Sequence, residues 1–132
     1  MSGKAFFDTN MLVYAVSQAD PKGEIVRTLI RKGGTISVQV LNEFVNVARK
    51  KRKIDWPEIH AVIANFRLTL RVVPVTIETH ERGLRLTQNH SFALYDAMIV
   101  AAAELAECSV LYSEDMQAGF VTGGVMLRNP FT

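Results

Sequence analysis

Short apolar runs alternate along this chain with longer segments in which apolar residues recur at helical spacing. This alternation is typical of a parallel β-sheet whose strands are joined by covering helices. The short runs predict strands over 5–7, 35–37, 71–75, 109–112 and 125–127, the last at the edge of the sheet. The longer segments predict helices over 10–18, 21–32, 39–51, 55–70, 77–88 and 94–107. We therefore predict an α/β fold with three layers, α/β/α, around a central, mainly parallel sheet.

Length and composition exclude several classes of protein. The 132 residues suit one core and show no repeat or linker, so we expect a single domain over 1–132. A hydrophobic fraction of 48% argues against disorder, and the single cysteine, Cys108, against a disulfide scaffold or a structural zinc site. The apolar run that ends at Asp8 is too short for a signal peptide, and the uncharged stretch 97–103 is too short to cross a bilayer. We expect a cytoplasmic protein without membrane contact.

Four acidic residues lie near the predicted carboxyl ends of strands, where open parallel sheets bind their ligands. They are Asp8, Glu43, Asp96 and Asp115. Each has a structural explanation as well. Asp8 could cap the following helix, or a neighbouring residue could cap that helix and leave Asp8 facing outward. Glu43 could be a residue at the boundary of a helix's buried face. Asp96 would satisfy free amides of a helix N-terminus, and Asp115 would belong to an acidic loop. Asp96 is the most informative, because its helix face continues as apolar residues, where a carboxylate needs a partner.

The parallel topology would bring these four carboxylates to one edge of the sheet. Clustered carboxylates repel one another unless a cation intervenes, and a hard divalent ion such as Mg²⁺ or Mn²⁺ prefers oxygen ligands. Such an ion activates water and stabilises charge on a phosphoryl group, which is the chemistry of nucleases. Ser37 and Ser113, each at a strand end, could hydrogen-bond the carboxylates or a phosphate, or be ordinary turn residues.

The chain resembles the PIN domain family, and within it the VapC-like toxins of bacterial toxin–antitoxin pairs, through the segments FFDTN, SVQVLNEF, LYDAMIVAAA and SEDM. The closing RNPF at 128–131 also resembles the end of such chains. This resemblance implies a Mg²⁺- or Mn²⁺-dependent endoribonuclease that hydrolyses RNA with a metal-activated water. It places the family's acidic set on the same four residues, with Asn10 and Ser113 as supporting positions. It also implies a homodimer, held inactive by a small cognate antitoxin whose C-terminal segment enters the active-site groove.

Five consecutive cations lie at the end of the predicted Glu43 helix: Arg49, Lys50, Lys51, Arg52 and Lys53. They are either a patch that contacts RNA phosphates, with strongly salt-dependent binding, or a solvated helix end whose cations suit the helix dipole. Trp56, shortly after them, could stack on bases or contact a second copy or an antitoxin.

Two other functions stay open for these residues. A metal-free ribonuclease would use a histidine pair and the RNA 2′-hydroxyl, although His60, His80 and His90 lie away from the predicted strand ends. A noncatalytic module would bind RNA or a partner protein on the same fold. The metal-dependent nuclease accounts for the four acids most directly.

Overall fold

A computed structural model describes residues 4–132 of the chain. The strands are β1 (Ala5–Phe7), β2 (Thr35–Ser37), β3 (Arg71–Val73), β4 (Val110–Tyr112), β5 (Val121–Thr122) and β6 (Val125–Arg128). The helices are α1 (Thr9–Ala15), α2 (Pro21–Arg31), α3 (Val38–Lys50), α4 (Trp56–Thr69), α5 (Ile77–His90) and α6 (Leu94–Leu105).

The strands form one six-stranded sheet in the order β3-β2-β1-β4-β6-β5. All neighbours are parallel except β5 and β6. From β1 the chain winds to β2 and β3 on one side, whereas β4 lies on the other side, so the strand order reverses between β1 and β4. Ligands bind at such a switch point, outside the carboxyl ends of the strands. The fold therefore places the residues that follow β1 and β4 at the position most suited to chemistry.

The core surrounds the two central strands. Phe6 and Phe7 of β1, Leu111 of β4 and Ile36 of β2 have no exposed surface. All three residues of β1 are buried, as expected for a parallel strand covered on both faces. The predicted α/β class and mainly parallel sheet are confirmed.

Several predicted boundaries differ from the structure. The helix predicted over 10–18 is α1 and ends at Ala15, and the strand predicted over 71–75 ends at Val73 because the following Pro74 has no N–H for the ladder. Strand β5 was not predicted, since two residues are too few to show alternation. It pairs with β6 across Gly123 and Gly124, both at positive φ. None of the helices between residues 4 and 132 is long and apolar enough to cross a membrane.

Candidate active site

All four predicted acids line one cavity of about 420 Å³ at the carboxyl edge of the sheet. Its wall is formed by Asp8, Thr9, Asn10, Val13, Tyr14, Glu43, Asn46, Val47, Lys51, Arg52, Asp96 and Asp115. A second cavity of about 470 Å³ lies against β6 and has no acidic residue in its wall. The size of a cavity therefore does not identify the candidate site. The position of the four acids does, and it indicates the cavity of about 420 Å³.

Asp8 is both the cap of α1 and the most buried acid of the cavity. Its Oδ1 accepts a hydrogen bond from the Thr9 amide (2.7 Å), and its Oδ2 accepts one from the Ser113 hydroxyl (2.6 Å). Of the two alternatives for this segment, the structure has Asp8 itself as the cap, with only 5% of its surface exposed, rather than a neighbour that caps and leaves it facing outward. Burial raises the pKa of Asp8 to about 6; the two hydrogen bonds oppose this, and the charges of Asp96 and Glu43 add to it.

Glu43 is fixed by two neutral donors. The Thr9 hydroxyl donates to its Oε1 (2.9 Å), and the Gln39 amide, one turn earlier on α3, donates to its Oε2 (2.8 Å). Sequence reasoning missed both donors. The spacing of Gln39 and Glu43, four residues apart on a helix, could have indicated their contact. Thr9 is 34 residues away, so only the fold brings it to Glu43.

Asp115 and Asp96 complete the acidic set. The Asn10 side-chain amide donates to Asp115 Oδ2 (2.9 Å), while the Ser113 hydroxyl accepts from the amide of Asp115 (3.2 Å). Ser113 therefore connects Asp8 to the turn that carries Asp115. Asp96, in the first turn of α6, is half-buried; burial raises its pKa, and the charges of Glu43 and Asp115 raise it further.

Three of the four carboxylates, Asp8, Glu43 and Asp115, accept hydrogen bonds from neutral groups, and Asp96 accepts none from the side chains and backbone of the described residues. No ion pair within the described part of the chain includes any of them. The buried Oδ1 of Asn10 also has no hydrogen-bond partner and adds an oxygen beside them. Excess negative charge and oxygen-only donors suit a hard divalent cation. As the side chains stand, however, no three acidic, histidine or cysteine residues among 4–132 are already arranged as a metal-binding set.

The basic segment divides into two parts. Lys51 and Arg52 line the cavity, and Arg52 Nη1 also donates to the Ser17 hydroxyl (3.3 Å). Arg49, Lys50 and Lys53 are exposed outside the cavity wall. Only two of the five predicted phosphate contacts therefore share a cavity with the acids.

Ser37 does not join the acids. It is fully buried, its hydroxyl accepts from the Val40 amide (3.3 Å), and it caps α3. The interpretation of Ser37 as a partner of the carboxylates or a phosphate is therefore replaced by that of a helix cap. The residue still helps the site indirectly, because α3 carries Glu43.

A network beside Asp115 was also missed. Glu114 accepts hydrogen bonds from the Tyr14 hydroxyl and the Lys22 ammonium, and these contacts lower its pKa, with Lys22 the larger cause. The Lys22 ammonium lies 5.2 Å from the centre of the Tyr14 ring and 5.1 Å from that of Phe131. Tyr14 follows Asn10 by one helical turn, so α1 holds the 113–116 turn at two points. In the sequence, the spacing of Asn10 and Tyr14 by one helical turn and the adjacency of Glu114 and Asp115 could have indicated this pair of contacts.

The sequence profile of the PIN domain matches residues 5–119. No curated protein sequence matches the chain significantly.

Solved structures with the same fold include a toxin–antitoxin complex from Klebsiella pneumoniae, 22% identical over 96% of this chain and 98% of that one, with a TM-score of 0.73. VapC20 of Mycobacterium tuberculosis, a toxin that cleaves the sarcin–ricin loop, is 22% identical over 93% of this chain and 99% of that one (TM-score 0.73). VapBC2 of Rickettsia felis, bound to promoter DNA, is 18% identical over 96% and 98% (TM-score 0.71). At these identities the likeness establishes a shared fold.

Proposed function

The chain belongs to the PIN domain family, and from that membership we propose that it is a divalent-metal-dependent endoribonuclease, the toxin of a toxin–antitoxin pair. One observation carries the proposal: four carboxylates, none of them in an ion pair among residues 4–132, line a single cavity that also contains Lys51 and Arg52. Negative charge of this density suits a divalent ion, and the two cations beside it suit a phosphodiester.

We assign Asp8, Glu43, Asp96 and Asp115 as the residues that hold Mg²⁺ or Mn²⁺. A bound divalent ion supplies a nucleophilic water at neutral pH and stabilises the charge that builds on the phosphoryl group. Asn10 supports the set through Asp115. Ser113 supports it through Asp8.

The protein groups divide the remaining work. Ser113 and the Thr9 amide fix the orientation of the Asp8 carboxylate. Thr9 and Gln39 fix Glu43 by holding one oxygen each. Asp96, without a comparable donor in the described chain, is the acid most free to turn toward a cation. Lys51 and Arg52, which line the same cavity, would hold RNA phosphates, and their charge would offset the repulsion between RNA and the acids.

The partners are proposed from the same family membership. Several structures of this fold are complexes with an antitoxin, among them those from Klebsiella pneumoniae and Rickettsia felis. We propose a small cognate antitoxin for this chain as well, a homodimeric assembly of single domains spanning 1–132, and a cytoplasmic location.

Substitution of Asp96 tests the activity. Asp96→Asn keeps the shape of the side chain and, unlike a substitution of Asp8, does not change a helix-capping residue. We expect RNA cleavage to fall by about 100-fold or more, the order associated with one lost transition-state contact. Chelator should abolish cleavage, and products should carry 5′-phosphates. Glu81→Gln, the same change on an exposed part of α5, is the control and should cleave normally.

A noncatalytic RNA- or protein-binding module is the second candidate. It is favoured by the side chains as they stand, since no three of them within 4–132 form a ready metal-binding set. Calorimetric titration with Mn²⁺ separates the two: the nuclease predicts binding that Asp96→Asn weakens. RNA binding without metal binding or cleavage would favour the module. A histidine-based mechanism lacks support, because His60, His80 and His90 lie outside the cavity wall.

A further inference from the structure

Trp56 is a large aromatic residue that remains half exposed, with 50% of its surface accessible. It is the first residue of α4 and lies three residues after the basic segment. The neighbouring aromatic residues of α3 and α4, Phe44 and Phe66, are buried edge-to-face, with ring centres 5.5 Å apart. Trp56 is thus not required by the core.

Arg49 holds one side of the indole ring. Its guanidinium carbon lies 4.6 Å from the ring centre, within the range of a cation–π interaction. Its Nη1 donates to the carbonyl oxygen of Ile54 (2.9 Å), which anchors the guanidinium in the turn between α3 and α4. We call Trp56 with Arg49 the aromatic platform. A base that stacks on it would meet a ring already fixed in place, with positive charge behind it.

The aromatic platform adjoins the acid cavity along the chain. Arg49 belongs to the last turn of α3. Lys51 and Arg52, which follow it by two and three residues, line the cavity. The nearest carboxylate in sequence, Asp55, is engaged in capping α4, where it accepts from the Glu58 amide (3.1 Å). The platform residues Arg49 and Trp56 therefore flank the two cavity cations along the chain, and we expect a polyanion that passes Lys51 and Arg52 to meet the platform.

We propose that the aromatic platform stacks a base of single-stranded RNA that flanks the bond cleaved in the acid cavity. The identity of the ligand rests on the proposed function. Proteins that bind single strands combine a basic groove with aromatic rings, which is the combination present here. Unpaired bases have free faces, whereas duplex bases are already stacked, so the platform selects single strands.

Charge argues against a second copy of this chain as the occupant. In a two-fold contact centred on Trp56, Arg49 and its four cationic neighbours would face an identical cluster. Like charges across an interface are unfavourable. RNA brings the opposite charge together with rings that can stack.

Trp56 is the only tryptophan of the chain, so its emission reports directly on the platform. The full-length Asp96→Asn protein would bind RNA without cutting it. We expect an oligoadenylate of about 12 nucleotides to quench the emission. An abasic strand of the same length and a duplex should leave it nearly unchanged, because neither offers a free base face.

Substitutions give the affinity. With labelled oligoadenylate and fluorescence anisotropy, Trp56→Ala should weaken binding by about 5- to 100-fold, and Trp56→Phe by no more than about 3-fold. Leu68→Ala removes another exposed apolar side chain of α4, 86% accessible, and is the matched control that should bind normally. Circular dichroism would verify the fold of each variant.

Each outcome has a separate meaning. Equal affinity of the Trp56→Ala and parent proteins overturns the platform and leaves the nuclease proposal intact. Quenching in a protein whose wild type never cleaves RNA supports the platform and overturns the nuclease. Absence of any RNA binding overturns both. An emission change with protein concentration alone would assign Trp56 to a contact between copies and overturn the platform.

Discussion

The pKa of Asp8 leads to a test of how the cavity responds to charge. Burial raises it from the ordinary 3.8 to about 6, against the opposing hydrogen bonds from Ser113 and Thr9. In the unfolded chain the group returns to its ordinary value. The folded protein therefore binds this proton more tightly than the unfolded chain, and without metal its stability falls as the pH rises from about 3.8 through 6.

The two pKa values set the magnitude. Ionising Asp8 costs about 3 kcal/mol more in the folded than in the unfolded chain. At pH 5 the unfolded carboxyl is already mostly ionised, so about half of this loss in the free energy of unfolding has occurred by then. The other half, roughly 1.5 kcal/mol, is lost between about pH 5 and pH 8. For a chain of this length, that is a decrease in Tm of about 5 °C. Asp96, whose pKa is also raised by burial, acts in the same direction. Glu114, whose pKa is lowered by Lys22, is already ionised in this window.

Thermal unfolding of chelator-treated protein across this pH window measures the effect. Asp8→Asn should remove most of the pH dependence while keeping a capping side chain at that position. Mn²⁺ at about 100 times its Kd should raise the free energy of unfolding by about 2.7 kcal/mol. For a fixed Mn²⁺ concentration the gain should be larger at the high-pH end, because the carboxylates must lose their protons to bind. Glu81→Gln should keep the wild-type dependence.

Two results would refute this reasoning. One is a metal-free protein that is as stable at about pH 8 as at about pH 5, which would mean that Asp8 does not hold its proton in the folded state. The other is an Asp8→Asn protein with the full wild-type decrease, which would assign the dependence to other groups. Destabilisation by Mn²⁺ would contradict the assignment of the acids as its ligands.

Three further predictions concern groups around the cavity and the sheet edge. Ser113→Ala removes a hydrogen-bond donor to Asp8, so it should raise the pKa of that carboxyl further and lower the free energy of unfolding by about 2 kcal/mol. Urea unfolding at neutral pH measures this loss, and an unchanged midpoint would contradict the prediction. Gly123→Ala should cost about 3 kcal/mol in the same assay, because a Cβ there would lie 2.7 Å from the Glu104 carboxyl carbon at a φ of 54°; wild-type stability would show that Glu104 moves freely. Arg52→Gln should reduce the slope of log RNA affinity against log salt by about 1, and an unaltered slope would remove Arg52 from the phosphate contacts.

The parts of the fold that the sequence predicted are those with local causes. Strand β1 has its predicted bounds because three apolar residues are followed at once by the capping Asp8. Helix α4 begins after Asp55 because a capping carboxylate, a proline and a glutamate stand together there. Strand β5 has no such cause, because its two residues pair only when the turn at Gly123 and Gly124 returns the chain to β6.

The candidate site follows the same division. The position of an acid after a strand is visible in the sequence, so all four acids could be named. Their hydrogen-bond partners could not, because Thr9 and Glu43 are 34 residues apart and Asp8 and Ser113 are 105 apart. Ser37 shows the converse: it stands at a strand end like Ser113, but it caps the helix that follows directly.

The acids of the cavity differ from Glu104 and Glu114, two other acids of low exposure, in how their charge is compensated. Glu104, nearly buried on α6, is paired with Arg82 (3.1 Å), and Glu114 is paired with Lys22, so their charges are compensated within the protein. Asp8, Glu43 and Asp115 are held instead by hydroxyl and amide groups, which orient a carboxylate without neutralising it. Such an arrangement is costly in a metal-free protein, as the raised pKa of Asp8 shows. A bound cation would remove this cost, so we expect the acid cavity to be the place where a divalent ion binds.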